Sequence, residues 1–271
     1  MKTRIRFVLL TLCAELCCHY SFGSVRGNDD TTKTLGCANP TTAIVTKVKN
    51  STATIVQEIM PFCAEEYLLA TSSSLPRMNQ LVVEEILKYP RSGVHNYYWP
   101  RKGELVYDGC TTDVFYRGTK VMVGEPKART YCCGLTLEVF YRVLGNIPSS
   151  RAVTEVIPPE KLKTLWFCTS IFAPGPGDAM RAAGVGKAVN PDEAMAGDFV
   201  QIWRNNRSGH SVIFVSWAYD QSGRRVGMHY WSTQEATDGI GFAVEAIGSS
   251  PAMINLDKTA FYRLLPPEEW K

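Results

Sequence analysis

Thr130-Tyr131-Cys132-Cys133-Gly134-Leu135-Thr136-Leu137-Glu138-Val139-Phe140-Tyr141-Arg142-Val143-Leu144-Gly145 places two adjacent thiols at the head of a strongly apolar run. Leu135, Leu137, Val139, Phe140, Val143 and Leu144 recur at the spacing of an amphipathic helix. Thr130 is its expected N-cap and Gly145 its expected stop. Cys132 then falls in the first turn, where N–H groups without intrahelical partners and the helix dipole favour a thiolate. Gly134 costs such a helix about 1 kcal/mol relative to Ala. That cost makes sense where another backbone or a substrate must approach the sulfur.

Working downstream, a Pro/Gly-rich passage leads to three strand-like runs at 198–203, 211–217 and 225–232. Turn signals separate them at Asn205-Asn206-Arg207-Ser208-Gly209 and Asp220-Gln221-Ser222-Gly223. Three antiparallel strands are therefore expected after the helix. His210 stands at the mouth of the second, just past a turn, where a strand start can aim an imidazole at a helix N-terminus. Taken singly, a cysteine at a helix start and a histidine at a strand start are more often structural than catalytic.

The joint pattern resembles the NlpC-type family of papain-like cell-wall peptidases. Those proteins carry an Asp-Cys-Ser-Gly-apolar box opening a helix, matched here by Tyr131-Cys132-Cys133-Gly134-Leu135. A Gly-Asp pair before an apolar strand is matched by Gly197-Asp198-Phe199-Val200, and the catalytic His at the next strand start by Gly209-His210-Ser211-Val212. The likeness covers about residues 129–245, with Tyr131 standing where the family has Asp and Cys133 where it has Ser. It implies an α+β fold with a papain-like, NlpC-type core, the helix carrying the nucleophile packed on an antiparallel sheet. It further implies amide hydrolysis through a thioester, with Cys132 as nucleophile, His210 as base and peptidoglycan stem peptides as the usual substrate. Cys133 is the other possible nucleophile, but the glycine two residues after Cys132 anchors the match. The family takes its third residue, which orients the imidazole, from the following strand. Gln234 is the first choice there and Ser232 the second, because both share a face opposite His229. An oxyanion hole would use the Cys132 backbone N–H, with the Tyr98 or Tyr131 hydroxyl as a helper. Asp198 reads as a turn residue.

Upstream of the helix, residues 91–129 are rich in Gly, Pro, Tyr and Trp and read as loops with a hairpin, its strands at 114–116 and 120–123. From Thr41 to Tyr89 the apolar residues Ile44, Val45, Val48, Ile55, Val56, Ile59, Met60, Leu81, Val82, Ile86 and Leu87 recur at three- and four-residue spacing, so residues 37–90 are expected to form an N-terminal helical extension. Residues 24–36 read as a polar linker. Residues 1–23, with Lys2, Arg4 and Arg6 before an apolar run too short for a membrane span, have the layout of a signal peptide. The catalytic domain is then 91–271.

The leader implies export to the periplasm or outside the cell, with a lipid anchor through Cys13, Cys17 or Cys18 as the alternative. Without Lys2, Arg4, Arg6 and Glu15 the 271-residue chain is nearly neutral, which gives no electrostatic case for nucleic acid. No zinc spacing appears among the cysteines, the four histidines are scattered, and no cofactor or metal is expected. In an oxidising compartment Cys37 and Cys63 are one possible bridge, with buried free thiols the other reading. Two further functions stay open: a non-catalytic module holding a wall polymer along Tyr97-Tyr98-Trp99, and a transglutaminase-like acyl transferase. The oligomeric state is not legible.

Overall fold

The computed structural model describes residues 41–46, 55–91, 93–100, 107–149 and 151–271, with side chains described from Phe62 onward. The expected signal peptide and linker lie outside these residues.

Fourteen residues, Cys132–Gly145, form the central helix, preceded in the chain by two shorter ones and two hairpins. In order these are β1 (Thr41–Thr46), β2 (Ile55–Phe62), α1 (Ala64–Thr71), α2 (Arg77–Ile86), β3 (Val114–Tyr116), β4 (Thr119–Met122) and then the central helix, α3. After it come α4 (Val153–Val156), α5 (Pro159–Trp166), α6 (Pro176–Ala182), β5 (Gly186–Val189), β6 (Phe199–Trp203), β7 (Gly209–Tyr219), β8 (Arg225–Gln234), β9 (Gly239–Ala246) and β10 (Ala260–Leu264). Strands β5 to β10 make one six-stranded sheet in the order β5-β10-β6-β7-β8-β9, every neighbour antiparallel. The architecture is α+β, several helices packed against an antiparallel sheet.

Helix α3 is not amphipathic in its setting. Twelve of its residues are buried, leaving Arg142 and Gly145 as the exceptions. The sheet covers one side through β7 and β8, while α2, α5 and β3 cover the rest. A helix apolar on nearly all sides needs such a jacket. Its N-cap is Tyr131, in extended conformation and with no side-chain cap, rather than Thr130. The Thr130 hydroxyl is instead spent on Thr233 Oγ1 of β8 at 2.8 Å, which ties the helix entrance to the sheet.

The expected helical extension over residues 37–90 is corrected in its first half. Residues 41–46 and 55–62 are an antiparallel hairpin. The segment is dense in β-branched Thr, Ile and Val, whose stiff χ1 suits a pleated strand, and these outweigh a fortuitous three-and-four spacing. The second half is helical as expected, but it is no separate extension. Leu68, Met78, Val82, Val83 and Ile86 share one apolar core with Leu135, Val139 and Phe140 of α3. Asn79 of α2 donates to the Ala196 carbonyl at 2.9 Å and to Asp198 Oδ1 at 2.8 Å, pinning α2 to the start of β6.

Three strands were expected after α3, and β6, β7 and β8 lie close to the expected positions. The intervening Pro/Gly-rich passage also holds α4, α5 and α6. Pro159 and Pro176 sit in the first turns of α5 and α6, where a missing N–H costs nothing and the fixed φ favours helix. No described helix is long and apolar enough to cross a membrane.

Candidate functional site

Cys132 is the first residue of α3 and His210 the second of β7, and both are buried. Strand β7 lies against α3, with Thr136 Oγ1 and Ser211 Oγ 2.8 Å apart. That contact fixes the height of the strand start relative to the helix head. His210 and the Ser211 backbone N–H, both at the start of β7, act on the Cys132 thiol and favour its anion.

The Cys132 thiol is held well below its ordinary pKa. The largest cause is a hydrogen bond from the Cys133 thiol, followed, against the opposing effect of burial, by the charge and hydrogen bond of His210 and by the Ser211 N–H. Cys133 moves the opposite way, raised by burial first and then by its neighbour's negative charge. The two neighbouring thiols are thus driven in opposite directions. Cys168 is pushed up to about 12 by burial and then by the Cys132 charge, so it remains a neutral thiol at neutral pH.

His210 Nε2 lies 3.2 Å from Gln234 Oε1. An amide oxygen only accepts, so Nε2 donates in this pairing and Nδ1 is the ring nitrogen it leaves free of Gln234. Of the two residues weighed for this place, Gln234 therefore meets the imidazole. Ser232 does not: its hydroxyl donates to the Ser211 carbonyl at 2.8 Å, a bond within the sheet that its short side chain cannot leave. The opposite-face placement of His229 is also seen, with its ring stacked on Phe62 at 4.1 Å.

The two tyrosines expected near the oxyanion are placed elsewhere. The Tyr131 hydroxyl donates to the Tyr107 carbonyl at 3.2 Å, while its ring packs against Trp99 and Phe167. The Tyr98 ring lies under the Arg129 guanidinium at 3.6 Å. Tyr97 also senses the thiols, its hydroxyl raised by burial first and then by the charges of Cys132 and Cys133. Three aromatic residues in succession gave no local signal as to which would turn inward.

The first-turn N–H groups of α3 have no side-chain cap, and the helix's own bonding begins at Leu135 N–H to the Tyr131 carbonyl at 2.9 Å. Gly134 allows a close backbone approach: a Cβ there would sit 1.9 Å from the Asp108 carbonyl oxygen. The residue is glycine because segment 108–109 crosses the helix head.

Asp198 has a structural setting. Fully buried, it accepts from Asn79, from the Met195 N–H at 2.8 Å and from Arg263 through Nε and Nη2 at 2.8 and 2.7 Å. A second, half-buried network went unnoticed in the sequence: Arg204 pairs with Glu245, and Glu245 accepts from the Tyr230 hydroxyl, whose ring stands edge-on to His210 at 5.5 Å.

Among the described residues no group of three or more His, Cys, Asp or Glu is arranged to hold a metal ion. Cys110, Cys132, Cys133 and Cys168 are free thiols, and Cys63 is disulfide-bonded. Cys37, one expected partner of Cys63, lies outside the described residues. The chain matches no protein-family model, no curated protein and no solved structure.

Proposed function

We propose that this chain is an exported cysteine hydrolase that cleaves an amide bond through a thioester on Cys132. The observation that supports this reading is that Cys132 heads α3, a helix packed on β7 and β8, while His210 at the start of β7 is bonded to Gln234 at the end of β8 and acts to lower the pKa of the Cys132 thiol. A merely buried thiol would be pushed up in pKa by desolvation, whereas Cys132 is held down.

In this mechanism the Cys132 thiolate attacks the substrate carbonyl while His210, protonated on both nitrogens, stands beside it. The oxyanion forms at the uncapped helix head, with the Cys132 N–H as its donor. The imidazolium gives its Nδ1 proton to the leaving amine, and the thioester remains on Cys132. Neutral His210 then takes a proton from water, whose oxygen attacks the thioester, and the acid leaves as the thiolate is restored. Gln234 accepts from Nε2–H throughout and keeps Nδ1 aimed at the sulfur. Peptidoglycan stem peptides are the substrate class that the NlpC-type resemblance implies, and the leader-like residues 1–23 suit a substrate outside the cytoplasm.

The test is the pH dependence of iodoacetamide alkylation of the leaderless protein, located by peptide mass spectrometry. Cys132 is expected to label selectively at a pH well below the free-thiol value of about 8.5. His210→Ala is expected to slow that labelling by about 10²-fold or more at pH 6.5. Uniform slow labelling of Cys110, Cys132, Cys133 and Cys168, indifferent to His210, would overturn the enzyme reading and leave a binding module on the same fold.

A further inference from the structure

Beside the head of α3 lies a cleft of about 330 Å³ that the hydrolytic chemistry does not use. Its walls are aromatic: Tyr98, Tyr107 and Tyr131, closed by Pro100. Tyr131 immediately precedes Cys132, and Gly109 in the lining belongs to the segment that crosses Gly134 in the first turn. A substrate with its carbonyl at Cys132 therefore has this cleft next to it. A volume at the lower end of the range for ligand sites suits one side chain with its backbone rather than a long polymer.

Among the described residues the lining carries one charged pair, Arg129 with Glu125. Arg129 Nε donates to both Glu125 oxygens at 2.8 and 2.7 Å, Nη2 donates to the same carboxylate, and the Arg129 backbone N–H adds a bond of 3.2 Å. The guanidinium face is occupied by the Tyr98 ring. The carboxylate is held down in pKa, first by the hydrogen bond from Arg129, and so stays charged and matched. Neither charge is left over for a ligand. An ammonium or carboxylate entering here would lose water and gain no counter-ion, a net cost, whereas a neutral ring would lose only apolar hydration and gain aromatic contact. Trp99, 57% exposed and edge-on to Tyr131 at 5.3 Å, extends the aromatic surface to solvent.

We propose that this cleft is the side-chain subsite of the enzyme and takes a neutral, ring-bearing residue on the acyl side of the scissile amide. The inference takes its location from the Cys132 reading, and it narrows the substrate away from the charged residues of a wall stem peptide.

Binding is measured by saturation-transfer NMR on the Cys132→Ala protein with three probes, the N-acetyl methylamides of phenylalanine, lysine and glutamate. The phenylalanine amide is expected to bind at least about tenfold more tightly than either charged one, and Tyr98→Ala is expected to abolish the preference. Glu125→Gln, which frees the Arg129 charge, is expected to turn the preference towards the glutamate amide. Melting curves of both variants establish that they fold, and either one suffices if the other does not. Equal binding of the three amides, or a preference for a charged one with the lining unaltered, overturns the subsite. This measurement does not depend on a reactive thiol, so slow alkylation of Cys132 would remove the hydrolase reading while leaving the subsite to be judged by its own result.

Discussion

Helix α3 holds a buried acidic group at each of two levels, and they are put to opposite uses. Glu138, in the middle, is fully buried and accepts from the Thr111 N–H at 2.7 Å, the Thr111 hydroxyl at 2.5 Å and Arg142 Nε at 2.8 Å. Cys132, at the head, is stabilised by a thiol, an imidazole and one backbone N–H. Glu138 is met by a guanidinium, an amide and a hydroxyl, none of which gives up its proton near neutral pH. The three partners of Cys132 include no permanently charged group. The same device, an acidic group desolvated inside a helix jacket and compensated by hydrogen-bonding neighbours, fastens the fold in one case and lowers the pKa of a thiol in the other.

Removing the first anion is the most forceful way to separate the two roles. Glu138→Ala leaves Arg142 and the buried Thr111 N–H without their acceptor, and breaking one side of such a pair costs about 3–5 kcal/mol. Urea denaturation is expected to register that loss, while the protein still folded in buffer keeps the low-pH alkylation of Cys132. A cost below about 1 kcal/mol would mean that Glu138 is replaceable. A loss of thiol reactivity in folded protein would mean that the two levels of the helix are not independent.

His229 sharpens the comparison from the other side, as a buried titratable group whose pKa is governed by burial alone. Desolvation lowers it from 6.5 to about 4, so the ring is neutral in the folded protein at pH 7. Between these values the unfolded chain binds a proton that the folded one does not, so stability rises with pH. The stability is fully present above about 6.5 and is lost as the pH falls towards 4. Integrated over that window the loss is about 3 kcal/mol at most. His229→Phe is expected to flatten the curve of stability against pH between 7 and 4 in chemical denaturation. An unchanged slope would assign the acid sensitivity to other groups.

Much of this arrangement was legible wherever one contiguous run carried its own boundaries. Helix α3, the β3–β4 hairpin and strands β6, β7 and β8 are of that kind, each an apolar run closed by Gly, Asn or Asp turn signals. The chain order Cys132, His210, Gln234 could be read for the same reason, since each residue sits at the terminus of such an element. What stayed hidden depended on contacts distant in sequence. The hairpin of residues 41–62 has helical spacing by coincidence, and its strand character lies in β-branching. Helices α5 and α6 begin at prolines that resemble loop punctuation until they are seen as first-turn residues. Tyr97, Tyr98 and Tyr131 are equivalent as letters, and only the crossing of segment 107–110 over the helix head turns the Tyr131 hydroxyl to the Tyr107 carbonyl. Ser232 and Gln234 share a face, but the choice between them rests on side-chain length.

The smallest predicted effect concerns Cys133, the residue that stands where the resembled family has serine. Its thiol is the first cause of the depressed Cys132 pKa, ahead of His210. Cys133→Ala is expected to remove that donor and move the alkylation profile of Cys132 to higher pH, with the rate at pH 6 falling by about tenfold, equivalent to about 1.4 kcal/mol. Cys133→Ser keeps a donor at the same position and is expected to restore most of the rate. A structural role would give a different pattern: both variants would lower the melting temperature, and neither would shift the profile. If serine restores the low-pH reactivity, Cys133 acts as a positioning donor that a hydroxyl can replace, and the contrast between the two levels of α3 rests on which donors surround the acidic group rather than on burial.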